Sequence, residues 1–456
     1  MTVSSSTPGR LSRDELLRLI RDDKIDTVIV AIADMQGRLQ GKRLDARFFA
    51  EEIDNAVEGC SYLLASDVDM NTVDGFALTS WDRGYGDLAF TADFSTVRWV
   101  PWHEKTAIIF ADVGTVTGEA VAVSPRQILK RQVDRLSEFG WIGLTGTELE
   151  FIVFDDTYEE AWNAGYRHLT PANLYNVDYS LLGTSRVEPL LGRVRRSMRD
   201  AGMIVESLKG ECNYGQHEIA FKYAELIDKC DEHSLFKLGA KEIASREGCS
   251  LTFMAKYNER EGNSCHIHLS LREKNGSPVF AGERAHGFSE VFEHFLAGQL
   301  TYAREFSLFL APNINSYKRF VEGSFAPTAM LWGVDNRTCA FRVVGHGTSI
   351  RVECRVPGGD VNPYLALAAL VASGLRGVEE SLSLPAAFQG NAYHADASRV
   401  PTTLHEAVGL FDQSTVARAV FSDEVVDHYV HAARVEVTAF DAAVTDWERY
   451  RGFERL

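Results

Sequence analysis

Three stretches of the chain alternate ionisable and apolar residues with the period of a β-strand, and they restrict the fold more than any other feature. In "TELEF" (147–151), Glu148 and Glu150 share a face, with Leu149 and Phe151 behind them. In "HIHLSL" (266–271), His266, His268 and Ser270 stand together, backed by Ile267, Leu269 and Leu271. In "IRVECRV" (350–356), Arg351, Glu353 and Arg355 oppose Ile350, Val352, Cys354 and Val356. Residues two apart on a strand point the same way, so each segment has one face fit for a core and another crowded with charge. An antiparallel sheet with one solvated face has this appearance too. Solvated faces, however, mix in Lys, Thr and Ser, whereas these carry Glu, His and Arg almost exclusively. A fourth element, "GECNYGQHEIAF" (210–221), adds Glu211 and Glu218 around a glycine-bearing turn.

Carboxylates with an imidazole favour a hard divalent cation such as Mg²⁺ or Mn²⁺ over zinc in a thiolate site. Arginines alongside suit phosphate or carboxylate, because guanidinium grips both as a fork. Together they point to phosphoryl transfer from a nucleotide, with metal ions neutralising the developing charge. One segment looks like a phosphate loop, "GRLQGKR" (37–43), but three residues rather than four separate its glycines and Arg43 follows the lysine.

With 456 residues, 45% hydrophobic and 24% charged, the chain is long enough for two domains, or for one large domain with a smaller partner. No apolar run approaches the roughly 18 residues of a membrane span. The opening "MTVSSSTPGRLSRDELL" lacks the apolar core of a secretory signal, which points to the cytoplasm. Seven cysteines without a CxxC pair fit reduced thiols rather than a disulfide framework. A net charge of −17, spread along the chain, argues against nucleic acid as a partner.

Along the chain, "SRDELLRLIRDD" (12–23) predicts a helix opened by a capping box. "TVIVAIADMQGRLQGKRL" reads as strand, turn, strand, and residues 60–100 as loop. "TAIIFADV" reads as a strand, and "SPRQILKRQVDRLSEFG" as a capped helix with proline in its first turn. A domain boundary falls near 110–123, giving domains 20–112 and 120–456. "HGFSEVFEHFLAGQLTYAREFSLFL" and "PYLALAALVASGLRGVEESL" carry long helical patterns, and the last sixty residues are helix-rich.

The ordered set "TELEF", "GECNYGQHE", "EGNSCHIHLSL", "NSYKRF", "DNRTCAFR" and "IRVECRVPGGDVNPYLALAA" resembles the glutamine synthetase family. That resemblance implies an α+β fold, with a small N-terminal β-grasp domain and a larger catalytic domain built on a curved antiparallel sheet with flanking helices. It implies a homo-oligomer of stacked rings, a dodecamer of two hexameric rings, with active sites between neighbouring subunits. By motif position, Glu150, Glu211 and Glu218 would hold one Mg²⁺ or Mn²⁺, and Glu148, His266 and Glu353 a second. His268, Ser270, Arg337, Arg342 and Arg351 match positions on ATP or its transferred phosphate. Gly262, Arg319 and Arg355 match positions that bind glutamate. The implied reaction makes γ-glutamyl phosphate, which a nitrogen nucleophile attacks. "EGNSCH" places Glu261 where the family has asparagine, and "GNAYHADAS" around Tyr393 lacks the family's adenylylation motif.

Two further departures surround the nitrogen substrate. The family's "DGSS" is "DGFA" here, keeping Asp74 but replacing the serines with Phe76 and Ala77. The glutamate of the family's active-site flap falls on Phe325, in "EGSFAP" (322–327). Without the flap carboxylate, a small hydrated ammonium ion is held less well. A phenyl ring favours an alkyl chain by roughly 0.8 kcal/mol per buried CH₂, and can face a cation for roughly 0.5–2 kcal/mol. The expected acceptor is therefore a small organic amine, ethanolamine or a polyamine, as in the γ-glutamylethanolamide and γ-glutamylpolyamine synthetase branches. The alternatives are an ammonia-dependent glutamine synthetase and a non-catalytic structural or regulatory assembly. An alkylammonium with a pKa of about 10.4 costs roughly 4–5 kcal/mol to deprotonate at pH 7, and Asp74 of the adjacent subunit is the candidate base.

Overall fold

The computed structural model describes residues 8–456; residues 1–7, which begin the stretch read for a secretory leader, lie outside the described residues. A six-stranded sheet comes first, built from β1 (Thr27–Ala33), β2 (Leu39–Asp45), β3 (Val57–Cys60), β4 (Asp87–Ala92), β5 (Arg98–Trp99) and β6 (Thr106–Thr115). Its order is β2-β1-β6-β4-β3, with β5 pairing β6. β1 runs antiparallel to β2 and parallel to β6. The loop-like reading of residues 60–100 missed β4, a short strand between aspartate- and glycine-rich flanks. The segment that resembled a phosphate loop forms the β1–β2 hairpin. A Cβ on Gly41 would lie 2.0 Å from the Val30 carbonyl oxygen, so glycine is there for strand approach.

The second sheet has nine strands: β7 (Trp141–Phe154), β8 (Val205–Gly210), β9 (Gln216–Phe221), β10 (Ala224–Glu225), β11 (Ser250–Thr252), β12 (Cys265–Glu273), β13 (Trp332–Val334), β14 (Phe341–Val344) and β15 (Arg351–Cys354). The main order is β13-β14-β15-β12-β7-β9-β8, with β10 and β11 on β7. Every pairing is antiparallel except β13–β14. The apolar residues of β7, β12 and β15 are buried in the core, where the helices Pro125–Glu138 and Leu226–Arg246 pack on β7. The helix Pro363–Glu379 is buried almost all round and packs on both of these and on the helix Glu290–Tyr302.

Helix starts follow the expected chemistry in most places. Ser12 and Glu15 form the capping box of the helix Arg13–Arg21. Ser124 stands at the N-cap of Pro125–Glu138 but makes no side-chain cap bond, so proline at the first position opens that helix. The long pattern after Gly287 is broken: Glu290–Tyr302 ends, and a short helix Ser307–Leu310 follows. All seven cysteines are unpaired. Among the described residues no helix is long and apolar enough to cross a membrane.

Buried ion pairs join the first sheet to the helices Pro125–Glu138 and Leu226–Arg246, which pack on the second. Arg126 donates to Asp93 (2.7 Å), Asp112 (2.5 Å) and the fully buried Asp231 (3.2 Å), which also accepts from Tyr364 Oη at 2.6 Å. Arg10 and the fully buried Arg98 both reach Asp228 and Glu232. Asn362 caps the helix Pro363–Glu379 and donates to the Met35 carbonyl at 3.0 Å. Removing one partner of a buried pair leaves the other charge unpaired, at about 3–5 kcal/mol. Arg126→Met is therefore expected to destabilise the fold by about that amount, read as a lowered urea midpoint; an unchanged midpoint would show that Asp231 is carried by Tyr364 alone.

Candidate active site

Strand register assembles the charged face. Residues paired across neighbouring strands point to the same side of a sheet. Glu150 lies opposite Glu218, His266 opposite Glu148, and Glu353 opposite both His268 and Arg342. Lys209 of β8 lies opposite Glu218. A band of ionisable groups thus crosses six neighbouring strands, β14 to β8, over a back face of Leu149, Phe151, Ile219, Ile267, Leu269, Val352 and Cys354. Like charges set directly opposite are destabilising unless something cationic joins them.

Donor atoms of Glu148, His266 and Glu353 lie within 4.8 Å of one another, as do those of Glu150, Glu218 and His266. His266 Nδ1 is 3.3 Å from Glu148 Oε2 and 3.6 Å from Glu353 Oε1, while its Nε2 is buried without a partner among the described residues. Burial, helped by Arg355, pushes His266 down to about 4, so it is a neutral imidazole with a free lone pair at pH 7. Burial, then the charges of Glu148 and Glu150, push Glu218 up to about 9; burial and Glu211 push Glu150 up to about 7. Crowded carboxylates beside a neutral imidazole are a fitting donor set for Mg²⁺ or Mn²⁺. The expected second set, Glu148, His266 and Glu353, converges. Of the expected first set, Glu150 and Glu218 converge with His266, whereas Glu211 groups with Asp178 and Cys212 and holds the Lys209 ammonium.

Gln216, which the motif reading passed over, holds Glu150 in place. Its Nε2 donates to Glu150 Oε2 at 3.0 Å, and Ser264 N–H donates to the same oxygen at 2.7 Å. The signal was present, because Gln216 is two residues from Glu218 and shares its face. The Gly262 carbonyl also accepts from Gln216, at 2.9 Å. A Cβ on Gly262 would lie 2.2 Å from the Ala255 carbonyl oxygen and 2.7 Å from Arg319 Cγ, so only glycine fits.

On the expected glutamate side, Arg319 is buried and its Nη2 donates to the carbonyls of Arg355 (3.1 Å), Val356 and Pro357 (3.0 Å). Arg355 binds Glu353 Oε1 through Nη1 and the Phe325 carbonyl through Nη2 at 3.4 Å. The Nε groups of both arginines are buried and unpartnered among the described residues, which leaves donors for a carboxylate ligand. On the expected nucleotide side, Arg351 Nε donates to His268 Nδ1 at 3.3 Å, which leaves the His268 proton on Nε2, 3.0 Å from Glu148 Oε1. Arg342 bridges Glu353 (2.9 Å) and Asp335 (2.5 Å). Ser270 is half-buried one step along β12, and Arg337 is exposed between β13 and β14.

Phe325 is 55% exposed and holds φ at 58°, a left-handed conformation uncommon for a bulky residue. Its loop is pinned by Arg355 and by a 2.6 Å bond between Glu322 and His394. Asp74 is exposed in the β3–β4 connection, and its carbonyl accepts from His431 Nε2 at 2.7 Å. Phe76 is buried, with its ring 4.6 Å from His428 and 4.7 Å from His431, so it anchors that connection to the helix Asp423–Ala442.

The family described as glutamine synthetase, catalytic domain, matches residues 122–451. The gamma-glutamylethanolamide synthetase GlnA4 of Streptomyces coelicolor is 62% identical, covering 100% of this chain and 98% of that protein. The glutamate–isopropylamine ligase of a Pseudomonas species is 38% identical, covering 95% of this chain and 96% of that protein. A solved GmaS/ADP complex superposes with a TM-score of 0.85 at 26% identity, over 96% of this chain and 99% of that one.

The raised carboxylates carry a stability signature. Glu150 and Glu218 keep protons in the folded chain up to about 7 and about 9, whereas unfolded glutamate releases them near about 4.3. The folded state binds more protons across that window, so the metal-free protein should lose stability as pH rises from about 5 to about 9. A divalent cation replaces those protons. Thermal midpoints in EDTA are expected to fall over this range and to recover with Mn²⁺; a flat EDTA profile would rule out proton-held carboxylates.

Proposed function

The chain belongs to the glutamine synthetase family, and on that premise we propose that it is an ATP-dependent ligase joining the γ-carboxylate of glutamate to a small organic amine, ethanolamine or a polyamine. The observation that carries the amine reading is Phe325: the flap presents an exposed phenyl ring, tied through its carbonyl to Arg355, where an ammonia-using site needs a carboxylate. Two relatives bear names that specify organic amines, ethanolamine in one and isopropylamine in the other, which supports the same reading.

In this mechanism Glu148, His266 and Glu353 hold one Mg²⁺ or Mn²⁺, and Glu150, Glu218 and Glu211 the other. The metals supply neutralisation of phosphate charge when bound. Arg337, Arg342, Arg351, His268 and Ser270 orient ATP, and Gly262, Arg319 and Arg355 orient glutamate. A γ-carboxylate oxygen attacks the terminal phosphorus of ATP and ADP leaves. The amine nitrogen then attacks the γ-carbonyl carbon and phosphate leaves. Asp74, supplied by a neighbouring subunit of a dodecamer of two hexameric rings, accepts the proton that the alkylammonium gives up. Its exposed position, on a connection anchored by Phe76 and His431, suits donation across an interface. Seven unpaired thiols fit a cytoplasmic enzyme.

Purified enzyme given ATP, glutamate and either ethanolamine, putrescine or ammonium tests the reading by product mass. The γ-glutamyl amide should dominate, and efficient glutamine formation from ammonium alone would sink the amine assignment. Phe325→Glu should lower ethanolamine kcat/KM by about tenfold, the equivalent of about 1.4 kcal/mol, and raise ammonium use. Asp74→Asn should lower kcat by about 10²-fold or more, the usual scale for a general base, with a smaller change in the KM for ATP; unchanged turnover removes Asp74 from the chemistry.

A further inference from the structure

Tyr393 is 8% exposed, and its Oη is buried without a hydrogen bond among the described residues. Folded chains seldom leave a buried hydroxyl unpaired, because the hydration it loses is not recovered. The residue is nevertheless firmly held. Thr338 Oγ1 accepts from the Ala392 N–H at 3.0 Å, Asn336 Nδ2 donates to the Gly390 carbonyl at 2.9 Å, and Arg399 Nη1 donates to the Tyr393 carbonyl at 3.0 Å. One residue on, His394 makes the 2.6 Å bond to Glu322 that ties this turn to the flap. Burial pushes the Tyr393 phenol above its usual range and Glu322 adds to this, whereas Arg355, the Phe325 N–H and Arg319 pull it down. The hydroxyl therefore stands in a buried, electropositive place, beside the two guanidiniums whose Nε groups are also unpartnered among the described residues.

We propose that Tyr393 is a further glutamate-binding residue, its Oη–H donating to the carboxylate that Arg319 and Arg355 orient. This rests on reading the chain as a glutamate-consuming ligase. A phenol suits the place. A third cation would repel the two arginines, whereas a neutral hydroxyl donates to a carboxylate without adding charge. A polar group that is unpaired in the free protein and paired in the complex is the pattern of a binding site, kept at some cost in stability. The same bond couples the substrate to the flap, because Tyr393 and His394 share the short turn Ala392–His394, and His394 holds Glu322 of the loop that carries Phe325. Burial of the hydroxyl suits this internal role rather than modification at the surface.

Tyr393→Phe removes the hydroxyl and leaves the ring, so two measurements on it test this. In steady-state kinetics of the holoenzyme, glutamate is varied with Mn²⁺ and ATP saturating and with whichever of ethanolamine, putrescine or ammonium gives turnover. The KM for glutamate should rise about tenfold, the equivalent of about 1.4 kcal/mol, with smaller factors on kcat and on the KM for ATP. The thermal midpoint of the ligand-free protein should be unchanged or higher, since an unpaired buried hydroxyl adds nothing to that state. The rise in midpoint that glutamate produces in the presence of Mn²⁺ and ADP should shrink. A lowered ligand-free midpoint, or a variant that does not fold, overturns the proposal, because the hydroxyl would then be bonded within the scaffold. So does an unchanged KM for glutamate, or a rise in the KM for ATP as large as that for glutamate. A wild-type enzyme that releases no phosphate with glutamate and any of these amines refutes the ligase reading instead, and shows itself before the variant is made.

Discussion

Glu150 facing Glu218 across the β7–β9 ladder is the contact on which the rest of the site depends. A folded chain sets two carboxylates opposite one another, beside Glu148 and Glu211, only if the surrounding structure holds them there. Ser264 N–H and Gln216 grip one oxygen of Glu150, and the bare backbone of Gly262 lets Ala255 and Arg319 close in behind. The repulsion that remains is stored as raised proton affinity, and a divalent cation is the natural replacement for those protons. The same field explains why cations gather at the rim: Lys209 at one end of the band, Arg342, Arg351 and Arg355 at the other.

The scaffold that carries this band is itself joined by buried charge. Arg126 gathers Asp93 and Asp112 with Asp231 of the helix behind the site, and Arg10 and Arg98 do the same through Asp228 and Glu232. These pairs connect the first sheet to the helices that pack on the second. Buried pairs demand good geometry to offset the loss of water, so the relative position of the sheets is sharply defined. That matters for Asp74, which belongs to the first sheet's loops and is proposed to work at a neighbouring subunit's site.

The strands that carry the ionisable face were legible in the sequence. "CHIHLSLRE" coincides with β12, and the alternation in β7 and β15 separates apolar from ionisable faces as two-residue periodicity requires. Where the reading fell short, the cause was physical. β4 was missed because six residues between turn formers carry little periodic signal. The long pattern after Gly287 ignored the break before Ser307 because the residues across it are apolar in either state. Lys209 went unremarked because a lysine on an edge strand ordinarily faces water, and only the β8–β9 register turns it toward Glu218.

Sequence by itself determined the chemistry of the face: which residue types share a side of each strand, the absence of a Walker pattern, and the phenylalanine at the flap. Those are local properties, set by the alternation of side chains along one backbone. Tertiary structure alone decided which carboxylates oppose one another, that Glu211 turns to Lys209, and that Phe76 is buried while Phe325 is exposed on a left-handed turn. Strand register and loop anchoring join residues far apart in the chain, and a one-residue slip would exchange every face. No local pattern carries that information, because it resides in the pairing itself.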